Sequence, residues 1–557
     1  MALSGLSGLT LIVVSFVALY KFLIYSIFLG PLARIPAVHP LAKISGLYML
    51  WVRYWDYENA VVFAAHKKHG GVVRLGPNEL SVNCIEDGVK TVYGKNFDRH
   101  DFYRVYEDCG RQNLSSSLDA FSHTIRKKRI THVYSKSYLH SSPAVVALID
   151  RVVRQRFLSL ITACAREEKA FDTMKILSAL ALDMVLGYTF GVKNATDFLN
   201  NSTEHSKCIE RIHTGRPYPM MFWLHEFPRT IDFLERVGVL SKERYQSLEA
   251  LHVFCLEMCH RAEAALQSDQ QETAAEDVST VYQQFKHSLD KEGVSTIPSL
   301  RASSRLSERG AISCSPQQLE IAAEVGDQIH ASDETLSITL TYAIWELSRN
   351  PSMQDRLRQE CRLTGSNVHV SSTAALPTAN EIDRLPLLHA IMMETMRVHP
   401  IVAGGQARVT PYGKTIRLGE YDNIPGGCRV QSYARFLHLN HEIFPEPLAW
   451  YPERWLEKLD PDVPDQKMRW FWAFSSGGRM CLGSHFAQLG QCILCITETS
   501  MLILVTVMKY VLLLIYSNFE TFVVDDDGIE HMEGYVGGPK SGRLMVGVRT
   551  AAWPSEG

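Results

Sequence analysis

The chain has 557 residues and a mass of 62.9 kDa, with 46% hydrophobic residues, 21% charged residues and a mean hydropathy of −0.06. Basic and acidic residues number 57 and 60, giving a net charge of −3 and a pI near 6.7, so neither a polybasic nucleic-acid binder nor an acidic tail fits. The apolar content excludes disorder over most of the chain, and the near-zero hydropathy excludes a polytopic membrane protein. Such a length admits roughly three or four average domains, or one unusually large one. Twelve cysteines are too sparse for a disulfide scaffold and fit a reducing compartment. The one CxxC, Cys492 to Cys495, sits in an apolar run and reads as buried thiols rather than zinc ligands.

From Leu6 to Leu29 the chain is apolar apart from Lys21. About 20 such residues span a bilayer core of about 30 Å, and Lys21 can snorkel toward the headgroups. Basic residues follow the span (Arg34, Lys43, Arg53, Lys67 and Lys68), so the body should face the cytosol. Residues 1–30 are therefore expected to be a transmembrane anchor. Residues 31–49, with Pro31, Pro36 and Pro40, read as a stiff non-helical tether, and 50–557 as the body. On a cytosolic body the glycosylation sequons at Asn194 and Asn201 are ordinary loop residues.

Short alternating stretches between residues 50 and 100, such as Gly71 to Leu75, suggest a small sheet. From about 120 to 400 apolar residues recur at three- and four-residue spacing, the helical period. Gln267 to Ser315 turns polar, as in a long surface connection, and 401–455 returns to strands and turns. The fold class expected is mainly α with small β-sheets.

The chemically informative segment is Phe474-Ser-Ser-Gly477-Gly-Arg479-Met-Cys481-Leu-Gly483. Glycines let the backbone turn closely about a cysteine sulfur, free amides can stabilise a thiolate, and Arg479 supplies a cation for an anionic cofactor edge. A redox or nucleophilic thiol is chemically possible too, but no histidine-plus-base arrangement surrounds it. The ten residues resemble the haem-binding loop of the cytochrome P450 (haem-thiolate monooxygenase) superfamily. Three further stretches match that family in order: Glu394-Thr-Met-Arg397, Tyr451-Pro-Glu-Arg454-Trp455 and Ala331-Ser-Asp-Glu334-Thr335. The resemblance runs from Arg53 to the final strands, which implies one large haem domain of the cytochrome P450 fold behind the anchor.

By that resemblance Cys481 is the axial ligand of a haem b iron, with Phe474, Gly477 and Gly483 shaping its loop. Arg479, Arg408, His123, Lys127 and Arg126 would hold the haem propionates, His123 standing where the family has tryptophan. Glu394, Arg397 and Arg454 would form a buried ionic network. Glu334 and Thr335 would relay protons to bound dioxygen, an acid followed by a hydroxyl suiting that task; glycine is usual where Ser332 stands, and Asp333 should face elsewhere. Electrons would come from NADPH through cytochrome P450 reductase, on the endoplasmic reticulum membrane. Substrate would be lipophilic and lined by 101–120, Tyr218 to Leu224, 327–335 and Ile401 to Gln406, with Tyr218 to Leu224 alternatively resting on the membrane. Phrases such as Arg74 to Ser81 resemble fungal secondary-metabolism members, which implies a terpenoid, polyketide or alkaloid scaffold. The alternatives are a haem-thiolate isomerase or dehydratase needing no dioxygen, and a non-catalytic product. The last arises because Gln491 to Val507 reads as an apolar insertion, such as a translated intron, that breaks the helical periodicity on either side.

Overall fold

The computed structural model describes residues 13–17, 19–268, 273–294, 314–364, 368, 375–457, 465–481 and 502–551. Seven helices position the site: α1 (Ala120–Ile130), α2 (Thr173–Phe190), α3 (Ser202–Gly215), α4 (Lys242–Gln267), α5 (Pro316–Ser348), α6 (Pro386–Val398) and α7 (Leu502–Asn518). Among the described residues nine short strands accompany them: β1 (Val72–Gly76), β2 (Glu79–Val82), β3 (Phe171–Asp172), β4 (Arg408–Val409), β5 (Ile416–Leu418), β6 (Tyr421–Ile424), β7 (Arg429–Gln431), β8 (Phe519–Asp525) and β9 (Met545–Thr550). The sheets are small, so packing of apolar helices carries the core.

Helix α5, at 33 residues, is the axle. Its start is fixed by a capping box, in which Ser315 and Gln318 satisfy each other's backbone amides, with Pro316 at the first helical position. Ile321 to Val325 and Leu336 to Leu347 bury one side of it against α2, α4 and α6. Helix α2 is buried nearly all round, from Leu177 to Phe190, so its apolar composition reflects a core helix and not a membrane span.

Residues 72–82 and 401–431 meet in one four-stranded sheet ordered β1-β2-β7-β4. Its β2–β7 pairing is parallel and the other two are antiparallel. This sheet joins chain segments some 350 residues apart. Strands β3, β9 and β8 form a second, antiparallel sheet, and β5–β6 a hairpin.

The expected tether is neither non-helical nor free of the body. Pro40–Lys43 and Leu47–Tyr54 are helical, and Leu32, Ile35 and Ala42 are buried. The reason is Arg74 of β1, a buried guanidinium that donates to the carbonyls of Ser26 (2.9 Å), Leu32 (3.3 Å), Lys43 (3.1 Å) and Pro77 (3.0 Å). Burying a charge demands such full hydrogen bonding, so the segment is drawn onto the sheet. Ahead of it residues 13–17 and 19–29 are helical and expose Phe16, Tyr20, Phe28 and Leu29; residues 1–12 lie outside the described part.

The expected insertion at 491–507 falls mainly on residues 482–501, which also lie outside it. Leu502 to Val507, however, do not interrupt the helix: they form the start of α7, with Val505 and Val507 buried and continuous with Met508. Further along, Lys509 is buried against Asp383 at 2.7 Å.

Candidate active site

The Cys481 thiol stands exposed at the end of a tight loop that begins at Trp472. Ser475 and Gly477 both have positive φ, and the loop closes on itself by Cys481 N donating to Phe474 O at 3.0 Å. Gly477 admits no side chain: a Cβ there would fall 2.0 Å from the carbonyl oxygen of Tyr93. Tyr93 in turn packs its ring 4.7 Å from Trp472, donates to Gln406 O and accepts from Ser432 N. The loop is thereby fastened to the four-stranded sheet. Phe474 packs against Phe471 at the core's edge; Gly483 lies outside the described residues.

Behind the loop, Glu394 and Arg397 of α6 form a bidentate pair at 2.8 Å in both contacts, fully buried. Arg454 Nε donates to the same carboxylate at 2.8 Å, Trp455 Nε1 at 2.9 Å and Tyr451 N at 2.9 Å. The spare donors of Arg397 reach the carbonyls of His438, Pro447 and Ala449. His438 carries the network to the cysteine loop. Its Nδ1 lies 3.1 Å from Arg397 O and its Nε2 accepts from Trp472 N at 2.8 Å, which sets the Nδ1–H tautomer. Burial and Arg397 hold this imidazole's pKa down to about 3, so it stays neutral. Sequence reasoning missed His438, whose only signal was a histidine in a turn-rich stretch.

On the other side of the loop, cations gather with few anions. Arg479 donates to Ser117 O and Leu118 O, both at 2.6 Å. Arg408 donates to Tyr103 Oη at 3.3 Å, and Arg99 to Leu114 O at 3.2 Å while stacking 4.4 Å over Tyr103. Burial and the charges of Arg99 and Arg408 press the Arg479 pKa down to about 9. His123, buried on α1, is held neutral by burial and by Arg479, Arg99 and Lys127, its pKa falling to about 2. Arg99 Nε, Arg479 Nε and His123 Nδ1 have no hydrogen-bond partner among the described residues. Lys127 joins the group by donating to Gly478 O at 3.1 Å. Arg126 does not: it turns to α5, pairing with Glu320 (2.9 Å) and Glu324 (3.1 Å). Charge complementarity explains the split, since those two glutamates offer Arg126 what the cradle lacks. Arg99 was not anticipated; nothing in Phe97-Asp98-Arg99 marks it.

Arg99 and Tyr103 of this group also line a chamber of about 1190 Å³. Its walls include Phe102, Tyr106, Tyr218, Phe222, Ile401 and Gly404, from the stretches expected, and also Met532 to Val536, which were not. Glu334 and Thr335 of α5 face it. Burial and neighbouring Asp333 push the Glu334 pKa up to about 7. Thr335 Oγ1 donates back to Ala331 O at 2.6 Å, as a helical threonine does. The helix runs unbroken through Ser332, whose hydroxyl bonds Ile329 O at 3.2 Å. Asp333 lines the chamber too, against the expectation that it faces elsewhere, and accepts from Ser178 of α2, which contacts His205 at 2.9 Å.

The family model for cytochrome P450 matches residues 40–497. The chain belongs to the cytochrome P450 family. Its curated relatives include a cytochrome P450 monooxygenase (avaI) of Aspergillus versicolor, 26% identical over 77% of this chain and 94% of that protein. Another (apf7), from Gibberella fujikuroi, is 27% identical over 84% of each chain. A third is the stellatic acid synthase of Emericella variicolor, 27% identical over 83% of this P450 and 82% of the relative. The chain is thus an oxidoreductase of the haem-thiolate class, and the family implies haem, a redox partner and a small-molecule substrate. The residues present fit that group. Two propionates supply the negative charge that the unpaired donors of Arg99, Arg479 and His123 lack, and the exposed Cys481 offers the soft ligand iron takes.

Proposed function

We propose that this P450 is a membrane-anchored monooxygenase that hydroxylates or otherwise oxidises a lipophilic fungal secondary metabolite, of terpenoid, polyketide or alkaloid type. Cys481 would hold the haem iron as a thiolate, and Arg479, Arg408, His123 and Lys127 would hold the propionates, with Arg99 added to the set anticipated from sequence. Bound there, haem supplies dioxygen activation and the oxidising power for C–H attack. The protein's share is positioning and proton supply. Glu334, carboxylic acid below about pH 7, hands its proton toward the chamber, and the Thr335 hydroxyl beside it holds the path. Glu394, Arg397 and Arg454 keep the cysteine loop in register through His438. The observation that carries the reading is a cation cradle with donors unpaired among the described residues on an exposed Cys481 loop, its Arg99 also lining the chamber walled by an acid–alcohol pair.

The anchor reading draws on the exposed apolar helix ahead of Gly30 and on the exposed Leu47, Trp51 and Trp55 along and just after the helix Leu47–Tyr54. Tyr54 meets Phe222 edge-on at 5.4 Å there, and both also line the chamber, so a lipophilic substrate enters from the bilayer side. Electrons come from NADPH through a reductase on the cysteine side, at the endoplasmic reticulum membrane with the body in the cytosol. Reconstitution with purified reductase tests this: NADPH consumption dependent on a lipophilic substrate and yielding an oxygenated product is expected. Substrate conversion without NADPH or dioxygen would replace it with an isomerase.

A further inference from the structure

Within the chamber one cluster is not explained by haem binding. Arg216, at the C-terminal cap of α3, lines it with its side chain only 8% exposed. Of five guanidinium donors, Nη2 is used on Asp108 at 3.0 Å, while Nε has no partner among the described residues. Beside it His330 of α5 also lines the chamber, and its Nε2 is likewise without a partner among the described residues. Buried donors left unmade cost stability, so a site that keeps two of them beside a cavity gains when a ligand brings an acceptor.

The charge balance narrows the ligand. Asp108 is fully buried, and Arg216 first and then His252 at 3.4 Å hold it ionised against that burial, while Asn113 Nδ2 also donates to it at 3.3 Å. The positive charge of Arg216 is therefore already matched. His330 is kept neutral by burial and by Arg216, its pKa falling to about 3. The wall offers donors without net charge, and a substrate carboxylate would bring an unmatched one into a buried site. A neutral acceptor oxygen meets no such penalty. His330 and Glu334 are four residues apart, on one face of α5, so an oxygen held here sits about one helical turn, roughly 6 Å along the axis, from the proton-donating acid.

We infer that the substrate carries a carbonyl group on its apolar skeleton, and that Arg216 and His330, brought together at the chamber wall, are the specificity residues that receive that oxygen. This rests on the chamber being the substrate site. The test uses the haem-loaded, full-length protein and three probes on one skeleton: 5α-androstane, 5α-androstan-17-one and 5α-androstane-17β-carboxylate. Binding is read by equilibrium dialysis, which does not depend on turnover or on the haem spectrum. The ketone should bind at least about tenfold tighter than the hydrocarbon, a difference of about 1.4 kcal/mol. Arg216→Lys keeps a charge opposite Asp108 but loses the fork, and should erase most of that preference. His330→Phe should reduce it about threefold, and neither variant should move androstane binding. Equal affinity for ketone and hydrocarbon in the wild type, including no binding of either, overturns the inference. So does equal weakening of both probes in the variants, or tightest binding of the carboxylate, which would make this an anion site. The same preparation's reduced carbon monoxide spectrum separates the two readings: a thiolate signature with no ketone preference removes the carbonyl-binding role of Arg216 and His330 and leaves the monooxygenase standing.

Discussion

Two buried charge clusters flank the cysteine loop, and they are built on opposite plans. Around Glu394 every strong group is used within the protein: two guanidiniums, an indole and a backbone amide converge on one carboxylate, and the remaining donors find carbonyls. Around Arg479 three guanidiniums crowd together, burial and like charge lower the proton affinity of Arg99 and Arg479, and ring and guanidinium nitrogens are left unmade among the described residues. The first arrangement is complete without a ligand. The second is complete only with an anion. Satisfied networks hold a fold, and unsatisfied ones mark where something binds.

Removing one partner from each cluster should therefore have opposite consequences. Glu394→Ala strands two buried arginines and should cost about 3–5 kcal/mol, seen as an early urea unfolding midpoint. Thr335→Ala should leave the fold alone yet lower product formed per NADPH about a hundredfold, the low end for a positioned proton-transfer group. Glu334→Gln should remove the decline in rate as pH rises through about 7, because the donating form is lost above that value. Arg408→Met, in the cradle, should leave the apoprotein's unfolding midpoint unchanged or higher, by relieving repulsion. Haem transfer to apomyoglobin should nevertheless become about tenfold faster, the worth of one charged hydrogen bond. A drop in apoprotein stability matching that of Glu394→Ala would erase the distinction between the clusters.

A last effect concerns His438, the link between the two sides. Neutral in the fold down to about pH 3 and protonated in the unfolded chain below about 6.5, it adds stability above 6.5 that is lost as pH falls through that window. The contribution to the slope is about 1.4 kcal/mol per pH unit. Unfolding midpoints at pH 7 and 5 should differ less in His438→Phe than in the wild type.

What the sequence makes legible follows from distance along the chain. Phe474 to Cys481 fix a loop within eight residues, and Glu394 and Arg397 share a helix face, so spacing alone locates them. Tyr93, His438 and Arg99 reach the site through the four-stranded sheet and the packed loops around it, across gaps of tens to hundreds of residues, and leave no local mark. The tether was misread for the same reason: its prolines speak of stiffness, but only Arg74 shows where it lies. Leu502 to Val507 open α7, so the described part of the 491–507 segment lengthens that helix. A transcript lacking those codons would identify it as an intron, and a homogeneous message retaining them would exclude that.

The most direct test of the central claim is the carbon monoxide difference spectrum of the reduced, haem-loaded protein beside its Cys481→His variant. Thiolate ligation by Cys481 predicts the strongly red-shifted Soret band in the wild type and its loss in the variant, with haem still bound. A wild type that binds haem without that band, or a variant that keeps it, would contradict the account.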